Sequence, residues 1–255
     1  GSRAVYGVSY RRRSPKMVVD EIEDILKNYK PDLFWFVDDV FTISHKWLEG
    51  FVEELDKRKI KIAYETISRA DRMNEHVINL LKESGCFRVW IGAESGSQKI
   101  IDAMDRRVSV HEVREMIQLT KKHGIQAGTF IMLGYPGETQ EDIEETIHHL
   151  IISDPDLYTI TIAYPIKGTP LYDEVEQNFT TSLPWESSTD RDIDFKRPYS
   201  REYYNQAISL IYNEVNFKKE YGKSGLLGQN AIKYKLNAYK NRSLMLVERI
   251  KQKIN

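Results

Sequence analysis

The chain has 255 residues, 41% of them apolar and 29% charged, which is enough to bury a sizeable core and excludes a collagen-like or disordered polymer. No 18-residue apolar run exists, so no transmembrane helix is expected, and the Arg-rich start lacks the apolar stretch of a signal peptide; a cytoplasmic setting is expected. The formal net charge of -1 hides a split: residues from Asn216 onward carry +8 and the rest -9, so the basic tail is either a solvated helix face or a contact for an anionic partner.

In chain order, Ser14-Pro15 reads as an N-cap with proline at the first helical position, followed by Val18, Ile22, Ile25 and Leu26 on one helical face. A strand is predicted over Leu33–Val37. Ser44 caps a second helix whose apolar face is Trp47, Leu48, Phe51, Val52 and Leu55. A strand at Ile60–Thr66 precedes a helix capped by Asn74 and stopped at Gly85. A strand at Phe87–Gly92 precedes a helix opened by a Ser109/Glu112 capping box and stopped at Gly124. Strands at Ala127–Leu133 and Leu157–Ala163 complete the series. The strands recur about every thirty residues, the length of a βα unit, and several are apolar nearly throughout, as expected of strands covered on both faces. Right-handed crossovers then give a parallel α/β sheet, either closed as a barrel or open.

The pattern changes after Tyr164. Pro165, Pro170, Pro184 and Pro198 mark an irregular segment. Tyr199–Lys219 reads as a helix, and Gly222-Lys-Ser-Gly225 as a break that lacks the context of a phosphate loop. Ile232, Leu236, Tyr239, Leu246, Ile250 and Ile254 outline a last helix. Two regions are expected, residues 1–172 and 173–255.

Functional groups of parallel α/β folds gather at the carboxyl ends of the strands. Those ends hold Asp38-Asp39, then Glu65, Ser68 and Arg69, then Glu94-Ser95, then Gly134 to Thr139, then Tyr164-Pro165. Carboxylates accept hydrogen bonds from an ammonium or ribose hydroxyls, and an arginine or helix N-terminus holds a carboxylate. The set therefore suits a ligand with an amine, a ribose and a carboxylate. His45, His76, His111, His123, His148 and His149 read as surface or capping residues, and no HExxH string occurs. Trp35, Trp47 and Trp90 read as fillers of core or helix–sheet gaps.

Tyr10-Arg-Arg-Arg-Ser-Pro15, Phe36-Val-Asp-Asp-Val-Phe-Thr42, Ile67-Ser-Arg-Ala-Asp-Arg72, Trp90-Ile-Gly-Ala-Glu-Ser-Gly-Ser-Gln98, Met104-Asp-Arg106 and Gly134-Tyr-Pro-Gly-Glu-Thr139 resemble the radical S-adenosylmethionine (SAM) superfamily. The likeness spans about residues 2–172 and is greatest to the branch that often carries an upstream cobalamin-binding domain, such as anaerobic magnesium-protoporphyrin cyclase-like proteins. It implies a partial (β/α) barrel with a helical C-terminal extension. It also implies SAM and a [4Fe–4S] cluster held by a CxxxCxxC loop, with reductive SAM cleavage to a 5′-deoxyadenosyl radical.

The cysteine loop and the strand before it are absent from these 255 residues. In this branch the third cysteine stands before a Ser-Arg pair, and the chain opens with Ser2-Arg3, so it reads as cut just after that loop. One cysteine, Cys86, cannot replace three thiolates, and this chain alone is expected to be inactive. By resemblance, Asp38 and Asp39 meet the SAM amine, Ser68 and Arg69 the ribose or carboxylate, and Glu94 and Ser95 the ribose or methionine part. Met132 to Gly134 lie along adenine, with Tyr164 and Pro165 nearby. Partners implied are an unknown substrate, an upstream cobalamin domain, and a second copy across the exposed edge of the first strand. Two other readings stand beside this one: a non-catalytic nucleotide-binding module, and a hydrolase or lyase using Asp38, Asp39, Glu65 and Glu94 around a divalent metal.

Overall fold

The computed structural model describes residues 12–181, 189–225 and 228–254; Ser2-Arg3, Tyr10, Arg11 and Pro184, noted above, lie outside them. Helix α1 (Pro15–Tyr29) starts where the Ser14 hydroxyl accepts the Met17 amide, 3.2 Å away. Then come β1 (Phe34–Phe36), α2 (His45–Lys57), β2 (Tyr64–Ser68), α3 (Glu75–Glu83), β3 (Cys86–Glu94), α4 (Gln98–Ala103), α5 (Val110–Lys122), β4 (Gln126–Leu133), α6 (Gln140–Ser153) and β5 (Leu157–Ile162). Ser44 and Asn74 cap α2 and α3, and the Ser109/Glu112 box opens α5. The five strands form one parallel sheet in chain order, with β1 at an edge.

Strand limits move from the sequence reading. β1 keeps only three residues. β2 starts four residues late, because the Ile60 amide is spent on the Leu55 carbonyl at the end of α2; it then runs on to Ser68.

The two faces of the sheet differ. Tyr64, Thr66, Val89, Ile91, Ala127, Thr129, Ile131 and Leu133 are buried in the core formed with the helices. The strands are not apolar-covered on both faces as expected. The opposite face carries Glu65, Arg88, Trp90, Phe130 and Met132 half-buried, and Trp35, Thr159 and Thr161 exposed. On it Glu65 accepts from Arg88 Nη1 (2.9 Å) and Trp90 Nε1 (3.0 Å), and Arg88 also donates to Gln126. Trp90 stacks on Phe130, ring centroids 5.0 Å apart, and Trp47 on Phe51 at 5.4 Å. Trp47 thus packs against the core, on Phe51 and Phe41, as read, whereas Trp35 is exposed and Trp90 lies on the open face.

Beyond β5, the short helix α7 (Pro170–Val175) leads to a long pair, α8 (Arg201–Ser224) and α9 (Gln229–Ile254). Tyr203, Tyr204, Leu210 and Ile211 of α8 are fully buried in the same core as the sheet, so the C-terminal helices share the packing of the βα units. α8 continues five residues past Lys219, through Gly222, and ends at Gly225 in a left-handed conformation (φ +68°). The expected break is therefore confined to its last glycine.

One histidine is misread from sequence. His149 is fully buried, and its Nδ1 accepts from Arg114 Nε at 3.3 Å. Burial, reinforced by the Arg114 charge, pushes its pKa down to about 3, so the ring is neutral.

Candidate functional site

Each strand end is fastened to the structure behind it. After β1, the Phe41 amide donates to the Ile67 carbonyl (3.0 Å) and the buried Thr42 and Ser68 hydroxyls share a 2.5 Å hydrogen bond. Asp38 and Asp39 stand exposed at the head of this turn. Desolvation raises the Asp38 pKa, the Asp39 carboxylate adds to the rise, and a backbone hydrogen bond opposes it.

Arg69, at the end of β2, donates to both Asp71 oxygens (2.7 and 3.2 Å) and to the Arg106 carbonyl (2.7 Å). This bidentate fork holds the guanidinium across the gap to the segment after α4.

The end of β3 carries the feature that defines the site. The β3–β4 ladder pairs Gly92 with Phe130 and Glu94 with Ile131, skipping Ala93. That bulge puts Glu94 at φ +64°, a conformation costly for a residue with a side chain. The result is a re-aimed carboxylate that lies back over Gly92 and meets Arg106 Nη2 at 3.0 Å. A Cβ on residue 92 would stand 2.9 Å from Arg106 Nη2 and 3.1 Å from Glu94 Oε1, so glycine makes room for the pair. Burial raises the Glu94 pKa, while the charges of Arg106 and Arg69 oppose the rise. The buried Arg106 Nε has no hydrogen-bond partner. A guanidinium with an unpartnered, desolvated donor beside a part-buried carboxylate has the chemistry to pair with an anionic group that also offers donors.

Ser95 is buried behind this pair. Its hydroxyl takes the Ser97 amide at 3.1 Å and faces Thr146 Oγ1 at 3.4 Å, while Ser97 donates to Asp142 at 2.6 Å. After β4, the Gly134 amide donates to the fully buried Glu138 at 2.6 Å. Met132 is half-buried on the open face. At the end of β5, Tyr164 is half-buried beneath Arg191, whose guanidinium carbon is 5.8 Å from the ring centre, and Pro165 is buried.

The fold thus joins Arg69 and Glu94 through Arg106, with Asp38 and Asp39 on the next strand end. Ser68 and Ser95 are turned inward and spent on loop anchoring. Arg106 is the functional candidate that sequence reasoning left without a role, although the Met104-Asp-Arg106 string marked it.

Among the described residues no group of three or more His, Cys, Asp or Glu is placed to hold a metal ion. Cys86 opens β3 at the amino end of the sheet, opposite Glu94; it is buried and its thiol is pushed up to about 12. A [4Fe–4S] cluster does not fit the residues of this chain.

The chain belongs to the radical SAM superfamily, whose family model matches residues 3–150. An uncharacterised methyltransferase of Pyrococcus horikoshii is 27% identical over 243 residues, covering 92% of this chain and 53% of that protein. The anaerobic magnesium-protoporphyrin IX monomethyl ester cyclase of Rubrivivax gelatinosus is 28% identical over 214 residues, covering 78% of this chain and 39% of the cyclase. The chain therefore spans about half or less of the length of these relatives. Among solved structures, the radical SAM methyltransferase TsrM from Kitasatospora setae, with cobalamin and a [4Fe–4S] cluster bound, matches with a TM-score of 0.64 at 15% identity. That match covers 91% of this chain and 56% of TsrM. The cobalamin-dependent SAM radical enzyme OxsB with aqua-cobalamin matches with a TM-score of 0.60 at 15% identity, covering 95% of this chain and 43% of OxsB. These likenesses show a shared fold: a parallel sheet with flanking helices and a helical C-terminal part.

Proposed function

We propose that this chain supplies the SAM-binding strand ends of a radical SAM enzyme that modifies its substrate by methylation, cyclisation or oxidation, in a cytoplasmic setting. The Glu94–Arg106 pair, re-aimed by the bulge and left with an unpartnered Arg106 Nε, is the observation that carries this reading. Arg106 and Arg69 hold the carboxylate of SAM, Asp38 and Asp39 accept from its ammonium, and Glu94 accepts from ribose hydroxyls. Met132, Gly134, Tyr164 and Pro165 border the adenine, while Ser68 and Ser95 fix the loops from behind. SAM supplies a 5′-deoxyadenosyl radical when cleaved reductively at a cluster. This chain offers one thiol, so the 255 residues alone hold no cluster and cleave no SAM. Cobalamin, where it is used, belongs to another domain. The exposed Leu33, Trp35 and Val37 along the β1 edge are the place where a further strand or a second copy would pair.

Calorimetric titration of the chain with S-adenosylhomocysteine tests the reading. The expected Kd is about 0.1–1 mM. Arg106→Ala should weaken it by about tenfold or more, the cost of losing a charged hydrogen bond. Anaerobic reconstitution followed by iron and sulfide analysis should find no stoichiometric iron. Equal affinity in the wild type and Arg106→Ala, or one cluster per chain, would refute it.

A further inference from the structure

Helix α9 has one buried face and one exposed apolar face. Ala231, Ala238, Asn241 and Met245 form the buried one, packed toward the rest of the chain. On the other side lie Ile232, Leu236, Tyr239, Leu246, Ile250 and Ile254, with exposures from 44% to 78%. At 100° per residue these six share an arc about 80° wide, pointing away from the core, and span about 33 Å of helix. Basic residues border the stripe on both sides: Lys233, Lys240 and Lys251 along one margin, Lys235, Arg242 and Lys253 along the other. With Arg249, α9 carries seven Lys and Arg against one acidic residue, Glu248. Some of this charge is answered locally. Lys235 pairs with Glu214, Arg242 with Glu144 and Glu214, and Lys251 with Glu248. Counting those three carboxylates against the helix still leaves an excess of four positive charges.

We propose that this stripe docks α9 flat on an anionic lipid surface. A headgroup layer offers negative charge on both sides of an apolar strip, which suits Lys233 and Lys240 on one margin and Lys253 on the other, none of them in an ion pair among the described residues; their long aliphatic stems let these charges reach headgroups while the stripe sinks below them. No helix of the described residues is long and apolar enough to cross a membrane, so the contact lies along the interface. A second copy is the weaker occupant, because two α9 stripes brought face to face would set their basic margins against each other. A protein partner would need a groove about 33 Å long with acidic residues on both rims.

Co-sedimentation of the 255-residue chain with vesicles tests the proposal. Binding to an equal mixture of phosphatidylcholine and phosphatidylglycerol should exceed binding to phosphatidylcholine alone by about tenfold or more, and should fall at high salt. Lys233→Gln with Lys240→Gln should weaken it by about twenty-five-fold, near fivefold for each charge removed. Leu236→Asp with Ile250→Asp should abolish it while leaving the thermal midpoint in place, since both side chains are exposed. Failure to bind the mixed vesicles overturns the proposal, as does equal binding to both vesicle types or full binding by the aspartate variant. A solution dimer that Leu236→Asp dissociates also overturns it, by making the stripe a contact between copies.

Discussion

Glu138→Gln is expected to change stability by about 1 kcal/mol or less at pH 5 and to raise it by about 4 kcal/mol over the wild type at pH 8. Glu138 is fully buried, and one carboxyl oxygen accepts from Gly134 while the other has no partner. The hydroxyls of Tyr203 and Tyr204 are likewise buried without partners. Burial pushes the Glu138 pKa up to about 8; the Asp142 carboxylate adds to the rise, and the Gly134 amide and Lys99 oppose it. The folded carboxyl therefore keeps a proton that the unfolded chain releases near pH 4.5. Its contribution is fully present below that value and is lost as pH rises through the folded pKa, at about 1.4 kcal/mol per pH unit. Glutamine keeps the acceptor for Gly134 and has no proton to lose. Urea unfolding of both proteins across this range reads the difference directly. Parallel pH profiles would show that Glu138 does not titrate as its burial implies.

Gly96→Ala should cost about 3 kcal/mol, lowering the thermal midpoint by roughly 6–12 °C for a domain of this size. The loop after β3 lies so close to α6 that a Cβ on residue 96 would stand 2.4 Å from Thr146 Cα and 2.5 Å from the Glu145 carbonyl oxygen. Both are backbone atoms of a helix, so no rotamer change relieves the clash. The same approach lets the Gly96 amide reach Thr146 Oγ1 at 2.9 Å, a bond the displaced loop would lose. Differential scanning calorimetry decides the matter: a midpoint within 2 °C of wild type, a shift of about 1 kcal/mol or less, would mean that the loop and helix separate freely.

The order and direction of the strands were legible because each apolar run sits between local signals that act without tertiary help. Ser14, Ser44, Asn74 and Ser109 each accept the amide their position calls for, and Gly85 and Gly124 adopt the positive φ that ends a helix. The environment of the polar residues was less legible. Along α6, Asp142, Thr146, His149 and Ser153 recur at helical spacing and would ordinarily mark a solvent-facing stripe. All four are buried, in part because the first two meet the polar loop Ser95 to Ser97. A polar stripe satisfied by a polar loop has the same sequence signature as one satisfied by water. The Glu94–Arg106 pair was hidden for a different reason. The residue types were visible, but a one-residue bulge at Ala93 decides where the carboxylate points, and no composition or period encodes it.

Thr42 with Ser68, Ser95 with Thr146, and Ser97 with Asp142 bind the loops to their own scaffold rather than to whatever sits in front of them. Loop shape and ligand-facing side chains are then nearly independent variables. Paired substitutions, one at an anchor and one at Asp38 or Asp39, should combine additively, with a coupling energy no greater than about 0.5 kcal/mol. Such a frame can exchange the groups it shows to a ligand and inherit its loop geometry intact, so that recognition drifts across descendants without the fold being solved anew.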